Sequence, residues 1–166
     1  MKSFKKIKEL ILESVDLIIP RGAISIPRHK MPQIATNQYG KLFKFLNSQG
    51  ISVTGKKVVC RNLRAAQSEI DRGKVLKWSK SIPEKALQKW PIITADFYCL
   101  DGNHTWLALL NADPDTEHIN CFQIGSNLID LLDRLKSFEG VTYKTIVEGK
   151  IFWDSPDHPY PLLRTK

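Results

Sequence analysis

Apolar positions recur at helical spacing near the start of the chain. Phe4, Ile7, Leu10, Ile11 and Val15 alternate with Lys5, Lys6, Lys8, Glu9 and Glu13. This period predicts an amphipathic helix over residues 1–22, stopped by Pro20 and Gly22 and packed on its own domain. Two prolines in residues 23–34 forbid a continuous helix, so that stretch reads as extended. A helix follows from Gln38 to Ser48, with Leu42, Phe43, Phe45 and Leu46 as its apolar side and Gly50 as its stop. Ile51 to Asn62 reads as a strand pair, or a strand with a turn at Gly55. Ala65 to Lys74 reads as a helical turn or short helix closed by Gly73, and Pro83 opens another short helix, Glu84 to Lys89.

The pattern then changes period. Pro91 to Leu100 is rich in β-branched and aromatic residues and predicts one buried strand. Asp101-Gly102 breaks it, and a helix runs from His104 through Leu110 to Asn111. Asp113-Pro114-Asp115 is a loop, and Ile119 to Ile124 a second buried strand. Leu128, Leu131, Leu132 and Leu135 mark one side of a helix from Asn127 to Phe138. A strand pair is expected over residues 143–152, turning near Glu148-Gly149, and a proline-containing tail over 154–166. Strands alternating with helices predict an α/β or α+β class, with the main domain spanning residues 23–153.

Composition narrows this. A chain of 166 residues, 42% hydrophobic, suits one domain with a real core. No apolar run approaches the roughly 20 residues of a membrane-spanning helix, so no membrane partner is expected. The net charge of +8 is unevenly held. Residues 1–90 carry 19 Lys/Arg against 6 Asp/Glu, whereas residues 91–166 carry 6 against 11. The basic half suits a polyanion, or is a solvated lysine-rich face. Cys60, Cys99 and Cys121 stand far apart, in odd number and without metal-ligand spacing. A reducing, cytoplasmic setting is the expectation. Glu9, Glu13 and Asp16 interrupt residues 1–19, so no signal peptide is read there.

Chemistry concentrates at Tyr98-Cys99-Leu100-Asp101-Gly102-Asn103-His104-Thr105-Trp106, a strand running through a glycine turn into a helix. A helix start leaves N–H groups unpaired at the positive end of the dipole, a ready anion site. Asn103, His104 and Thr105 fall on its first turn, and Asp101 offers a carboxylate for a divalent cation or a proton. Turn formation and helix capping would also explain Asp101-Gly102, Asn103 and Thr105. Two further clusters stand out. One is Leu63 to Ile70 with Lys74 close behind. The other is Pro27 to Ile34, whose prolines stiffen the presentation of Arg28, His29 and Lys30 to a phosphate, or make it a rigid connector.

Taken in order, these blocks resemble the ParB/sulfiredoxin-like family. The resemblance rests on Leu63-Arg64-x-x-Gln67-x-Glu69-Ile70 with Lys74, then Pro91-Ile92-Ile93, then Leu100-Asp101-Gly102-Asn103-His104-Thr105-Trp106-Leu107-Ala108, over roughly residues 58–125. Small phage- and plasmid-type members are similar here. The resemblance implies a compact fold with a small mixed sheet flanked by helices. It also implies a nucleotide (ATP, ADP or CTP, with Mg2+) held at the helix beginning near His104. Arg28, Lys30, Arg64, Gln67, Lys74, Gly102, Asn103 and Thr105 would bind it, with Asp101 at the metal and His104 or Glu69 as general base. Two departures matter. The usual Arg after the His is Thr105, removing one phosphate-binding cation. The sulfiredoxin cysteine falls at Asn103, so sulfinic-acid reduction, which needs a thiolate, is excluded. Only one clear helix follows the motif, which does not support a full centromere-binding partition protein.

Three functions follow as expectations. The first is a nucleotide-dependent phosphotransferase or phosphohydrolase. The second is a DNA-binding protein or ParB-like nuclease that uses the basic half. The third is a family member without turnover that serves as a protein-interaction surface.

Overall fold

The computed structural model describes residues 24, 26–67, 70–113 and 118–143. The helix read at 1–22, the loop at 114–117, the strand pair read at 143–152 (apart from Tyr143) and the tail at 154–166 lie outside them, as does Glu69. The class is α/β, as the alternating pattern predicts.

Seven strands are described: β1 Gln33–Ile34, β2 Val53–Val59, β3 Arg64–Ala65, β4 Ile92–Ile93, β5 Tyr98–Asp101, β6 His118–Ile124 and β7 Val141–Thr142. The helices are α1 Tyr39–Ser48, α2 Arg72–Lys80, α3 Glu84–Gln88, α4 Asn103–Ala112 and α5 Leu128–Leu135. Five strands form a mixed sheet in the order β2-β6-β4-β5-β3, and β1 pairs with β7 beside it. The β3/β5 and β4/β6 pairs are parallel, and β2/β6 and β4/β5 antiparallel.

Side-chain alternation sends the strands' apolar groups to two cores. Ile93, Cys99, Ile119 and Cys121 pack with Val75 and Leu76 of α2 and Trp106, Leu107 and Leu110 of α4. Ile92, Tyr98, Leu100 and Ile124 pack with Leu42 and Leu46 of α1 and Leu128, Leu131 and Leu135 of α5. The domain is therefore three layers, helix–sheet–helix.

Three local expectations are corrected. Gly55 makes no turn: β2 runs unbroken through it, paired with Phe122. A Cβ there would make only ordinary van der Waals contact with the Trp90 ring, at 3.5 Å. Pro91 to Leu100 is not one strand. Phe97, at φ +66°, turns the chain back between β4 and β5, and Thr94 Oγ1 accepts from the Tyr98 amide at 3.0 Å to close the hairpin. The helix expected over Ala65 to Lys74 is displaced. Residues 64–65 are strand, Gln67 bridges to Ile26, and α2 starts at Arg72. Asp71 sets that start, its side chain accepting from the Lys74 amide at 3.0 Å. Gly73 lies in the first turn and closes nothing.

Candidate functional site

Asp101 ends β5, Gly102 turns the chain and α4 begins at Asn103. Gly102 sits at φ +92°, and a Cβ there would fall 2.9 Å from Pro91. Both the backbone conformation and the space therefore require glycine. A residue without a side chain cannot cap α4, so the first-turn amides of a ten-residue helix face outward without a capping group from Gly102.

Asn103, His104 and Thr105 of that turn line a cavity of about 470 Å³. Its wall includes Arg28, Gln67, Lys74, Asp101, Gly102, Asn103, His104 and Thr105, so three stretches far apart in sequence meet there. Buried polar side chains concentrate at it. Of the five described residues of this kind, Gln67, Asp101, Asn103 and Thr105 line the cavity, and Thr94 is the fifth. Burying polar groups costs stability unless they find partners, as Asp101 does. Lys85 and Lys89 line it too, so four cations face one carboxylate among the described lining residues.

Lys89 and Tyr39 were not legible as site residues. Lys89 Nζ lies 3.2 Å from Asp101 Oδ2 and donates to the Ile34 carbonyl at 3.0 Å. The Tyr39 hydroxyl donates to the same Oδ2 at 3.0 Å, with the Trp90 carbonyl as its alternative acceptor at 3.2 Å. Burial, and then the Asp101 charge, push the Tyr39 phenol well above its ordinary range, so it stays a donor. In sequence, Lys89 reads only as the polar end of a short helix, and Tyr39 lies at the start of a helix, outside the apolar side read for it.

His104 is held by α2. Its Nε2 accepts from the Asp71 backbone N–H at 3.0 Å. An amide can only donate, so Nε2 is unprotonated and the neutral ring carries its proton on Nδ1. Burial, followed by the charges of Lys74 and Arg28, lowers His104 to about 4 against an opposing effect of Asp71. The expected general-base role does not fit this geometry, because the lone pair it needs is engaged by Asp71. His104 instead offers an N–H.

Two expected phosphate ligands lie elsewhere. Lys30 is exposed and lines a different hollow with His29, Ile129 and Asp133. The 3-10 turn at Arg28–Lys30 rotates successive side chains by about 120°, so Arg28 can face the cavity while Lys30 does not. Arg64 lies with its guanidinium 4.0 Å from the Tyr98 ring centroid and is not among the cavity's lining residues.

The two expected groups, a metal ion and a phosphate, meet this donor set differently. No cluster of three or more His, Cys, Asp or Glu that could hold a metal occurs among the described residues. The one carboxylate on the described wall, Asp101, is already bonded to Lys89 and Tyr39, so the protein side of a metal site is poorly matched. Phosphate oxygens match far better, since the wall supplies ammonium groups, a guanidinium and helix-terminal amides.

Cys60, Cys99 and Cys121 are buried free thiols of one core. Burial pushes Cys121 up to about 12 and Cys99 well above its ordinary value, so both stay protonated and unreactive. No described helix is long and apolar enough to cross a membrane.

The chain matches no family model, no curated protein and no solved structure.

Proposed function

We propose that the chain binds a nucleotide in this cavity, with the phosphates against the N-terminus of α4, and acts on it as a phosphotransferase or phosphohydrolase of the ParB/sulfiredoxin-like type. One observation carries the reading. Lys74, Lys85, Lys89 and Arg28 converge with an α4 start that Gly102 leaves uncapped. That is the charge and donor arrangement a polyphosphate takes.

The lysines also answer the departure at Thr105. The cation absent from that position is replaced by ammonium groups brought in by α2 and by the segment carrying α3. Phosphoryl transfer rests mainly on positioning and charge neutralisation, both of which these groups supply. His104 enters as a neutral donor to an oxygen. Asp101 enters as the anchor that holds Lys89 at the cavity wall.

Calorimetric titration with ATP, ADP and CTP, with and without Mg2+, tests the reading. Binding that is lost in a Lys74→Gln, Lys89→Gln double variant supports it. No binding by any of the three defeats it. Phosphate release, or transfer to a second substrate, then reports turnover.

A DNA-binding or nuclease reading draws on a separate observation, the exposed Lys56 and Lys57 on edge strand β2 followed by exposed Arg61. It requires affinity for duplex DNA that falls steeply with salt, by about 0.9 log units per log unit of salt for each phosphate neutralised.

A further inference from the structure

The cavity has two kinds of wall. Beside the cations and amides stand Trp78 of α2, Pro83, and Ala86 of α3. Trp78 is half-buried and belongs to neither core. Trp106, by contrast, is wholly enclosed, and its indole N–H donates to the Cys60 carbonyl at 2.7 Å. An indole left partly in water, outside the core and on a cavity wall, forgoes burial that its area would otherwise gain. Aromatic rings in that position bind flat, apolar groups of ligands.

We propose that Trp78 is the platform on which the heterocyclic base of the ligand stacks. The proposal rests on the nucleotide reading above and extends it to the base end of the ligand. Lys74 links the two ends. It stands one helical turn before Trp78, and its Nζ lies 4.3 Å from the indole centroid. The same side chain lines the cavity and raises the potential at His104. An ammonium held over an exposed ring is bound more weakly than one paired with a phosphate oxygen. A polyphosphate at the α4 N-terminus therefore draws Lys74 toward itself, and the base takes the indole face. Pro83 and Ala86 keep the rest of that wall apolar without polar groups that would need partners. The cavity's volume lies in the range of pockets that enclose small organic ligands.

The experiment compares ATP and CTP with inorganic tripolyphosphate on the full chain and on Trp78→Ala and Trp78→Phe variants, by calorimetry. Tripolyphosphate has the anionic end and no base. The expected result is that wild type binds a nucleotide tighter than tripolyphosphate by about tenfold or more. Trp78→Ala removes that margin and leaves tripolyphosphate binding unchanged, while Trp78→Phe retains most of it. Indole fluorescence gives a second reading that needs only the conservative variant: nucleotide quenches it in wild type, and the quench is lost in Trp78→Phe. Tripolyphosphate binding as tightly as both nucleotides overturns the platform and leaves the phosphate site standing, as does an equal loss for all three ligands in Trp78→Ala. If none of the three binds wild type, the phosphate site fails and the platform fails with it.

Discussion

The Nε2 atom of His104 accepts a hydrogen bond from the backbone amide of Asp71 at 3.0 Å. This bond ties the first turn of α4 to the start of α2, and it fixes which nitrogen of the ring carries the proton. One consequence concerns pH. His104 is lowered to about 4, chiefly by burial, whereas an unfolded chain would protonate it near 6.5. The native state therefore holds fewer protons than the unfolded state between those values. Stability from this group is fully present above about 6.5, declines as pH falls toward about 4, and declines no further from this source below that. Urea titrations from pH 7.5 to 4 should show this loss, with a smaller loss over the same interval in His104→Gln. Equal slopes in the two proteins would contradict it.

Asp71 is predicted to act in two separable ways. Its carboxylate caps α2, and its amide holds His104. Asp71→Ala removes the cap and keeps the amide, so a loss of about 1 kcal/mol is expected. The His104 side-chain nitrogen shifts in NMR should keep the pattern of a neutral Nδ1–H ring. A change of tautomer in Asp71→Ala would show that the carboxylate, not the amide, orients the imidazole.

Lys89→Met should destabilise the fold by about 1–3 kcal/mol, because it leaves the enclosed Asp101 carboxylate with the Tyr39 hydroxyl alone. Adding Asp101→Asn removes the stranded charge. The double variant should therefore recover part of the loss in urea unfolding, a coupling that two independent sites would not show.

Gly102→Ala should cost more than about 1 kcal/mol, since the position combines a left-handed backbone with contact against Pro91. Thermal melts check the stability, and phosphate-ligand affinity should fall with it because the first turn of α4 is displaced. An alanine variant with unchanged melting and binding would mean that the turn tolerates a Cβ and is not the site's fixed element.

The alternation of strands and helices made the α/β class legible, and one stretch of the candidate site was legible beside it. Asp101-Gly102 followed at once by a helix is a local signal, because turn and cap chemistry are properties of adjacent residues. By spacing Gln67, Lys74 and Arg28 read only as polar residues in company, and the resemblance alone groups them at one ligand; β3, the start of α2 and the 3-10 turn bring them to that same cavity. Gly55 as a turn was decided by propensity where the pairing of β2 with β6 decides, whereas Pro91 to Leu100 as one strand and Ala65 to Lys74 as a helix missed two local devices, the Phe97 reversal and the Asp71 cap. Lys89 and Tyr39 were invisible for a related reason. Their importance lies in one shared carboxylate oxygen, contributed by Asp101, 12 positions from the first and 62 from the second in the chain.

If phosphate meets the protein at the start of α4, amide chemical-shift mapping on 15N-labelled full chain titrated with ATP will show it there. The earliest and largest shifts are expected on Gly102, Asn103, His104 and Thr105, with Lys74 and Lys89 following. Shifts centred on Lys56, Lys57 and Arg61 instead, or no saturable shift at the α4 start, would contradict it.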